Sequence, residues 1–194
     1  MIPAYLIADS PRKAFGLSFL LCLFCCGVIL FIVAPITGLS RDFGAGNDGY
    51  IQIARNLVAG NGYVFEKDGP PVFHRPPIYP LFLVPIAMFP TDLQRYVIVF
   101  PQSLLVGFIG MLIFKIAHRL FNTEIAKLAL LCFLINPWVY WNAKNPMTAL
   151  LQTFWYLLFV YRTVMELCSQ ADRGQLRSSV FIGTAGAALA LSHG

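Results

Sequence analysis

The chain has 194 residues, 58% of them hydrophobic and only 12% charged, with a formal net charge of +5. That balance excludes an ordinary soluble domain and points to a membrane protein. No basic run or RNA-binding signature accompanies the positive charge, so it suits acidic lipid headgroups rather than nucleic acid.

Met1–Lys13 is a short leader that closes on Pro11-Arg12-Lys13. Residues 14–36 are apolar throughout and long enough to cross a bilayer. A cleaved signal peptide is the rival reading, but the apolar part is too long and no small-residue cleavage site follows it cleanly, so the segment reads as an uncleaved first span. Cys22-x-x-Cys25 lies inside it and reads as small apolar filler rather than a metal or redox motif. The five cysteines (Cys22, Cys25, Cys26, Cys132 and Cys168) leave the polar loop that follows without a disulfide framework.

That loop, residues 38–95, is the only long polar stretch between apolar segments. Asn47 and Asp48 suit the start of a helix over Gly49–Ala59, which Gly60 should stop. Ile51, Ala54, Leu57 and Val58 fall on one face of it, and Asp48, Gln52 and Arg55 on another. The helix is too short and too charged to span, so it is expected to lie flat with its apolar side in the membrane. Tyr63-Val64-Phe65 reads as extended and Glu66–Pro71 as a turn. Pro76 and Pro77 can open a second short helix, with Leu81–Phe89 interfacial or re-entrant and Pro85 inside it.

Further spans are expected over 96–117, 125–140 (closed by Asn136-Pro137-Trp138) and 146–165, with an incomplete fifth over 178–194. The fold class is therefore an all-α polytopic membrane protein of about five transmembrane helices, with two interfacial helices in the loop after the first span. Arg12, Lys13, Lys115, Arg119, Lys127, Arg162, Arg173 and Arg177 gather on one side, which places the N-terminus in the cytoplasm and the 38–95 loop outside. Trp138, Tyr140 and Trp141 sit where an outer aromatic belt belongs. Asn145, Thr148 and Gln152, near or on the fourth helix, either line a cavity or bond between helices.

Taken alone, Asp48 reads as a helix cap, Arg55 as a solvated face, Arg75 as a headgroup anchor, His74 as structural, and Tyr63 and Tyr79 as interface aromatics. The set of motifs changes that reading. An acid before Tyr-x-x-x-Ala-Arg-Asn-Leu (Tyr50–Leu57), then Gly-Asn-Gly-Tyr-x-Phe (Gly60–Phe65), then His-Arg-Pro-Pro-x-Tyr-Pro-Leu-Phe-Leu (His74–Leu83) resembles the first outer loop of polytopic glycosyltransferases of the GT-C fold, in particular the protein O-mannosyltransferase, aminoarabinose transferase and Rgt-type groups.

The resemblance implies transfer of a sugar from a polyprenyl-phosphate donor to a glycan, lipid or protein acceptor on the outer face, in a bacterial inner membrane. It implies Asp48 as catalytic base and makes Arg55, His74, Arg75 and Tyr79 candidates for substrate binding. Many relatives carry a second acid directly after the first, where this chain has Gly49. No metal ligand or cofactor is assigned, and a divalent metal stays open. Relatives continue with further spans. A second reading therefore takes the chain as the N-terminal portion of a longer protein, or as a non-catalytic subunit completed by a partner chain. A third takes it as a transporter of lipid-linked sugars.

Overall fold

The structure is a computed structural model that describes residues 9–37 and 49–173. Asp48 and the expected fifth span, 178–194, lie outside the described residues. Among the described residues the regular structure is helical: α1 Pro11–Val28, a π-helical stretch Ile29–Val33, α2 Ala34–Thr37, α3 Tyr50–Val58, α4 Ile78–Ala87, α5 Thr91–Val97, α6 Val99–Leu120, α7 Thr123–Ile135, α8 Pro137–Lys144 and α9 Ala149–Arg173.

Ser10 caps α1 by accepting from the Lys13 N–H at 3.4 Å, and Pro11 stands at its first turn, where no N–H is needed. The rod then runs unbroken over Pro11–Ile36, 26 residues or about 39 Å of rise, enough to cross a bilayer. Pro35 would crowd the carbonyl of Phe31, and the widened Ile29–Val33 turn just before it accommodates the ring. Thr91–Leu120 is the second span by length and apolar character. It begins earlier than the expected 96–117, because α5 leads into α6 through Ile98.

The two rods pack closely at small residues. Phe15 Cε2 lies 2.8 Å from where a Cβ on Gly107 would stand, and Ser18 Cβ 2.9 Å from one on Gly110. Membrane helices approach each other through such small residues. Away from this seam Leu20, Phe24, Phe31 and Phe100 are exposed, as suits an outer surface in lipid.

The third expected span is corrected. Asn136-Pro137 does not close it but breaks it, and α7 and α8 meet at a 56° bend. The Asn136 side chain accepts from the Trp138 N–H at 3.0 Å, and the Tyr140 hydroxyl donates to the Leu134 carbonyl, the group that the break leaves without its helical partner. Tyr140 is therefore buried rather than part of an outer belt, whereas Trp138 is exposed and stacks on Trp141. Counting the bent pair as one span gives up to three. The expected fourth span, 146–165, forms a helix that starts later and runs longer, Ala149–Arg173. Gln152, Arg162 and Glu166 interrupt its apolar run, and it is not among the candidate spans.

One apolar core joins the spans to the loop. Ile51, Ala54, Tyr79 and Leu83 from the loop helices share it with Cys22, Cys26, Ile98, Val106, Val139 and Ala143. The Cys22 and Cys26 sulfurs are 3.9 Å apart inside it. A second cluster, with Ala14, Phe114, Ala126 and Leu130, fills the other end of the bundle. The loop helices are thus fixed to the bundle and not merely laid on a membrane.

Candidate functional site

Helix α3 opens one residue later than its expected cap. The cap position falls on Gly49, at φ 75°, with no side-chain cap bond. Its end follows the expected stop: Gly60 N donates to Leu57 O at 3.2 Å and Asn61 N to Asn56 O at 2.9 Å, the paired bonds of a Schellman turn. The buried face is Tyr50, Ile51, Ile53 and Ala54, while Val58 is exposed. The apolar side that was expected to face lipid is covered by α4 instead. The Tyr50 ring meets the Tyr79 ring edge-on at 5.3 Å.

The following segment doubles back as a narrow hairpin. Val64 and Pro71 form an antiparallel bridge, Val72 N donates to Tyr63 O at 2.9 Å, and Asp68 takes the left-handed turn position at φ 65°. Asn56 ties this hairpin to α3, its Nδ2 donating to the carbonyls of Val64 (3.0 Å) and Phe65 (2.9 Å). Asn61 Nδ2 in turn donates to Asn56 Oδ1 at 2.9 Å, fixing the amide's orientation. The Tyr63 hydroxyl donates to the carbonyls of Arg75 (3.0 Å) and Pro76 (3.2 Å). Burial pushes the Tyr63 phenol's pKa up, so it stays a donor.

These bonds bring two of the expected site residues to the start of α3. The Arg75 guanidinium lies over the Tyr50 ring, 5.3 Å from its centre, a cation–π contact. The His74 ring is 5.9 Å from that of Phe65, which packs directly on Gly49. His74 is exposed and, with Phe65, Glu66, Gly69 and Val72, lines a cleft of about 380 Å³. The residue that precedes Gly49 is Asp48.

The other two expected site residues go elsewhere. Arg55 donates through Nε (2.9 Å) and Nη2 (2.6 Å) to the Gln94 side-chain oxygen. Gln94 Nε2 donates to the carbonyls of Ala87 (3.2 Å) and Phe89 (2.8 Å), which the end of α4 would otherwise leave open. Arg55 therefore clamps α3 to the α4–α5 corner. Burial of this clamp lowers the guanidinium's pKa. Tyr79 is fully buried, not at an interface, and its hydroxyl accepts from Gln102 Nε2 at 3.0 Å. Burial pushes its phenol's pKa far up, with the Gln102 bond acting the other way.

Several contributors were not legible as site residues. Asn56 sits within a quoted motif, yet its partners lie eight and nine residues on. Gln102 joins Tyr79 to the Asn145 backbone carbonyl (3.4 Å), while the Asn145 side chain donates within its own turn to the Trp141 carbonyl at 3.1 Å. A glutamine inside an apolar span is the signal that could have found it. Lys144, at the end of α8, is buried, over the Trp141 ring at 4.0 Å and 3.3 Å from Asn145 Oδ1. Among the described residues no three His, Cys, Asp or Glu side chains come together as a metal site.

Among the described residues, a helical chain with long apolar spans and a polar loop packed onto them is a polytopic membrane protein. The dolichyl-phosphate-mannose-protein mannosyltransferase family's sequence model matches residues 74–191, more than half of the chain, and the chain belongs to that family. The matched region opens at His74 and takes in Arg75 and Tyr79. No curated protein and no solved structure matches.

Proposed function

We propose that the protein transfers a sugar from a polyprenyl-phosphate donor to an acceptor on the outer face of a bacterial inner membrane, with Asp48 as general base. The observation that carries this reading is the family match together with the gathering of His74 and Arg75 beside Gly49.

In the proposed step the acceptor hydroxyl attacks the anomeric carbon. Its proton passes to the Asp48 carboxylate, the bond from the anomeric carbon to the phosphate oxygen breaks, and the electron pair leaves with the lipid phosphate. Attack from the face opposite the leaving group inverts the centre. A carboxylate base contributes roughly 10²–10⁴-fold to such a step. Charge developing on the phosphate needs a fixed cation, and Arg75, whose planar fork suits phosphate and which Tyr50 holds in place, fills that role. His74, exposed on the cleft, is placed to donate to the sugar or phosphate. Arg55 and Tyr79 act by holding α3 and α4 in register. Gly49 stands where a second acid would be, so no step is routed through a paired-carboxylate metal.

The test is consumption of polyprenyl-phosphate sugars, labelled in the sugar, by membranes carrying the protein. Label appearing on an acceptor, with inverted anomeric configuration, supports the reading. Label that crosses the bilayer still attached to its lipid would make the protein a transporter and reject it.

A further inference from the structure

A second concave site lies at the opposite end of the bundle from the loop. Pro11 opens α1 there and α6 ends there, so the site sits where the two long spans leave the apolar layer. Lys115, His118 and Arg119 of α6, Tyr161 and Met165 of α9, and Pro11 line an open cavity of about 280 Å³. Among the described residues its lining holds three basic side chains and no acid. The Lys115 ammonium is 5.4 Å from the centre of the Tyr161 ring. The His118 ring stacks on Phe114, and its Nδ1 is 3.3 Å from the Thr123 hydroxyl, which fixes the ring with its other nitrogen turned away from that bond.

Neighbouring charges are already paired. Lys13 meets Asp9 at 2.8 Å and Lys127 meets Glu124 at 2.8 Å. Cations near a helix C-terminus complement its dipole without any ligand. That accounts for the presence of His118 and Arg119, but not for a cavity walled by a second helix and lined by three basic groups. Exposed Leu120 and Phe121 flank the site and suit the edge of an acyl layer.

We propose that this cavity binds the phosphate of an anionic phospholipid headgroup in the leaflet opposite the catalytic loop. The planar Arg119 fork and the Lys115 ammonium hold the phosphate oxygens, and the Tyr161 and Met165 walls face the glycerol region. The site is independent of the transfer chemistry.

The protein is released from mixed vesicles of dioleoylphosphatidylglycerol and dioleoylphosphatidylcholine, and retained lipid is counted by native mass spectrometry. The wild type should retain the anionic lipid preferentially, and Lys115→Gln/Arg119→Gln should weaken that retention roughly thirtyfold, since each basic group near an anionic surface is worth about fivefold. Lys115→Arg/Arg119→Lys, which keeps both charges but moves the planar fork, should weaken it far less than the loss of both charges. Lys13→Gln/Lys127→Gln, which removes two cations outside the cavity, should change it little. No preference in the wild type, or an equal loss in the Lys13/Lys127 variant, would overturn the site. Displacement of the lipid by millimolar inorganic phosphate would reject a lipid as its occupant.

Discussion

The ring of Phe65 fills the space that a side chain on Gly49 would need: a Cβ there would stand 2.7 Å from Phe65 Cδ1. Gly49 is also left-handed, at φ 75°. The position directly after Asp48 is therefore closed to a second acid by both backbone and packing.

Gly49→Ala should destabilise the protein by about 2–5 kcal/mol, the sum of a left-handed alanine and an overpacked contact. Gly60 provides the control. It has nearly the same backbone, φ 76°, with nothing within 4 Å of its missing Cβ. Gly60→Ala should lose only the backbone part, about 1–2 kcal/mol. Thermal unfolding of the two variants in detergent should rank Gly49→Ala clearly lower. Equal melting temperatures would show that Phe65 does not close the position.

Asn56 holds the hairpin through two carbonyls. Asn56→Ala leaves both without that donor and should cost about 1–3 kcal/mol, concentrated in the 63–72 segment. Limited proteolysis should cut that segment faster in the variant, while cleavage elsewhere stays unchanged. Uniform loosening of the whole chain would contradict a local tether.

The Arg55–Gln94 clamp is read here as a positioning device. Arg55→Ala and Gln94→Ala should each destabilise by about 1–3 kcal/mol, and the double variant should cost clearly less than the sum, because the two side chains act through one contact. Additive losses would separate the pair. A rise in KM for the lipid donor in Arg55→Lys at unchanged stability would return Arg55 to phosphate binding.

Much of the loop was legible because glycine and proline chemistry is local. Gly60 stops α3 and Pro76-Pro77 precede α4 by rules that need no tertiary partner. What the chain pattern could not disclose was distance along the sequence. Gln94, the partner of Arg55, lies 39 residues away, and Gln102, the partner of Tyr79, 23. Without them both residues read as surface groups. Ile53 was missed as a core residue because α4 covers a wider face of α3 than one apolar stripe implies. Asn136-Pro137 reads in the sequence as an end, and it is the capping bond at Trp138 and the Tyr140 bond to Leu134 that make it a break inside a continuing helix pair.

If Asp48 is the base for sugar transfer, the turnover of Asp48→Asn in membranes, measured at matched protein level and matched insertion, will show it. Asp48→Asn should lose at least about 10²-fold in turnover, the contribution expected of a general base, with the thermal stability of the protein unchanged. Wild-type turnover in Asp48→Asn would contradict it, and would leave the loop as a scaffold whose chemistry lies elsewhere.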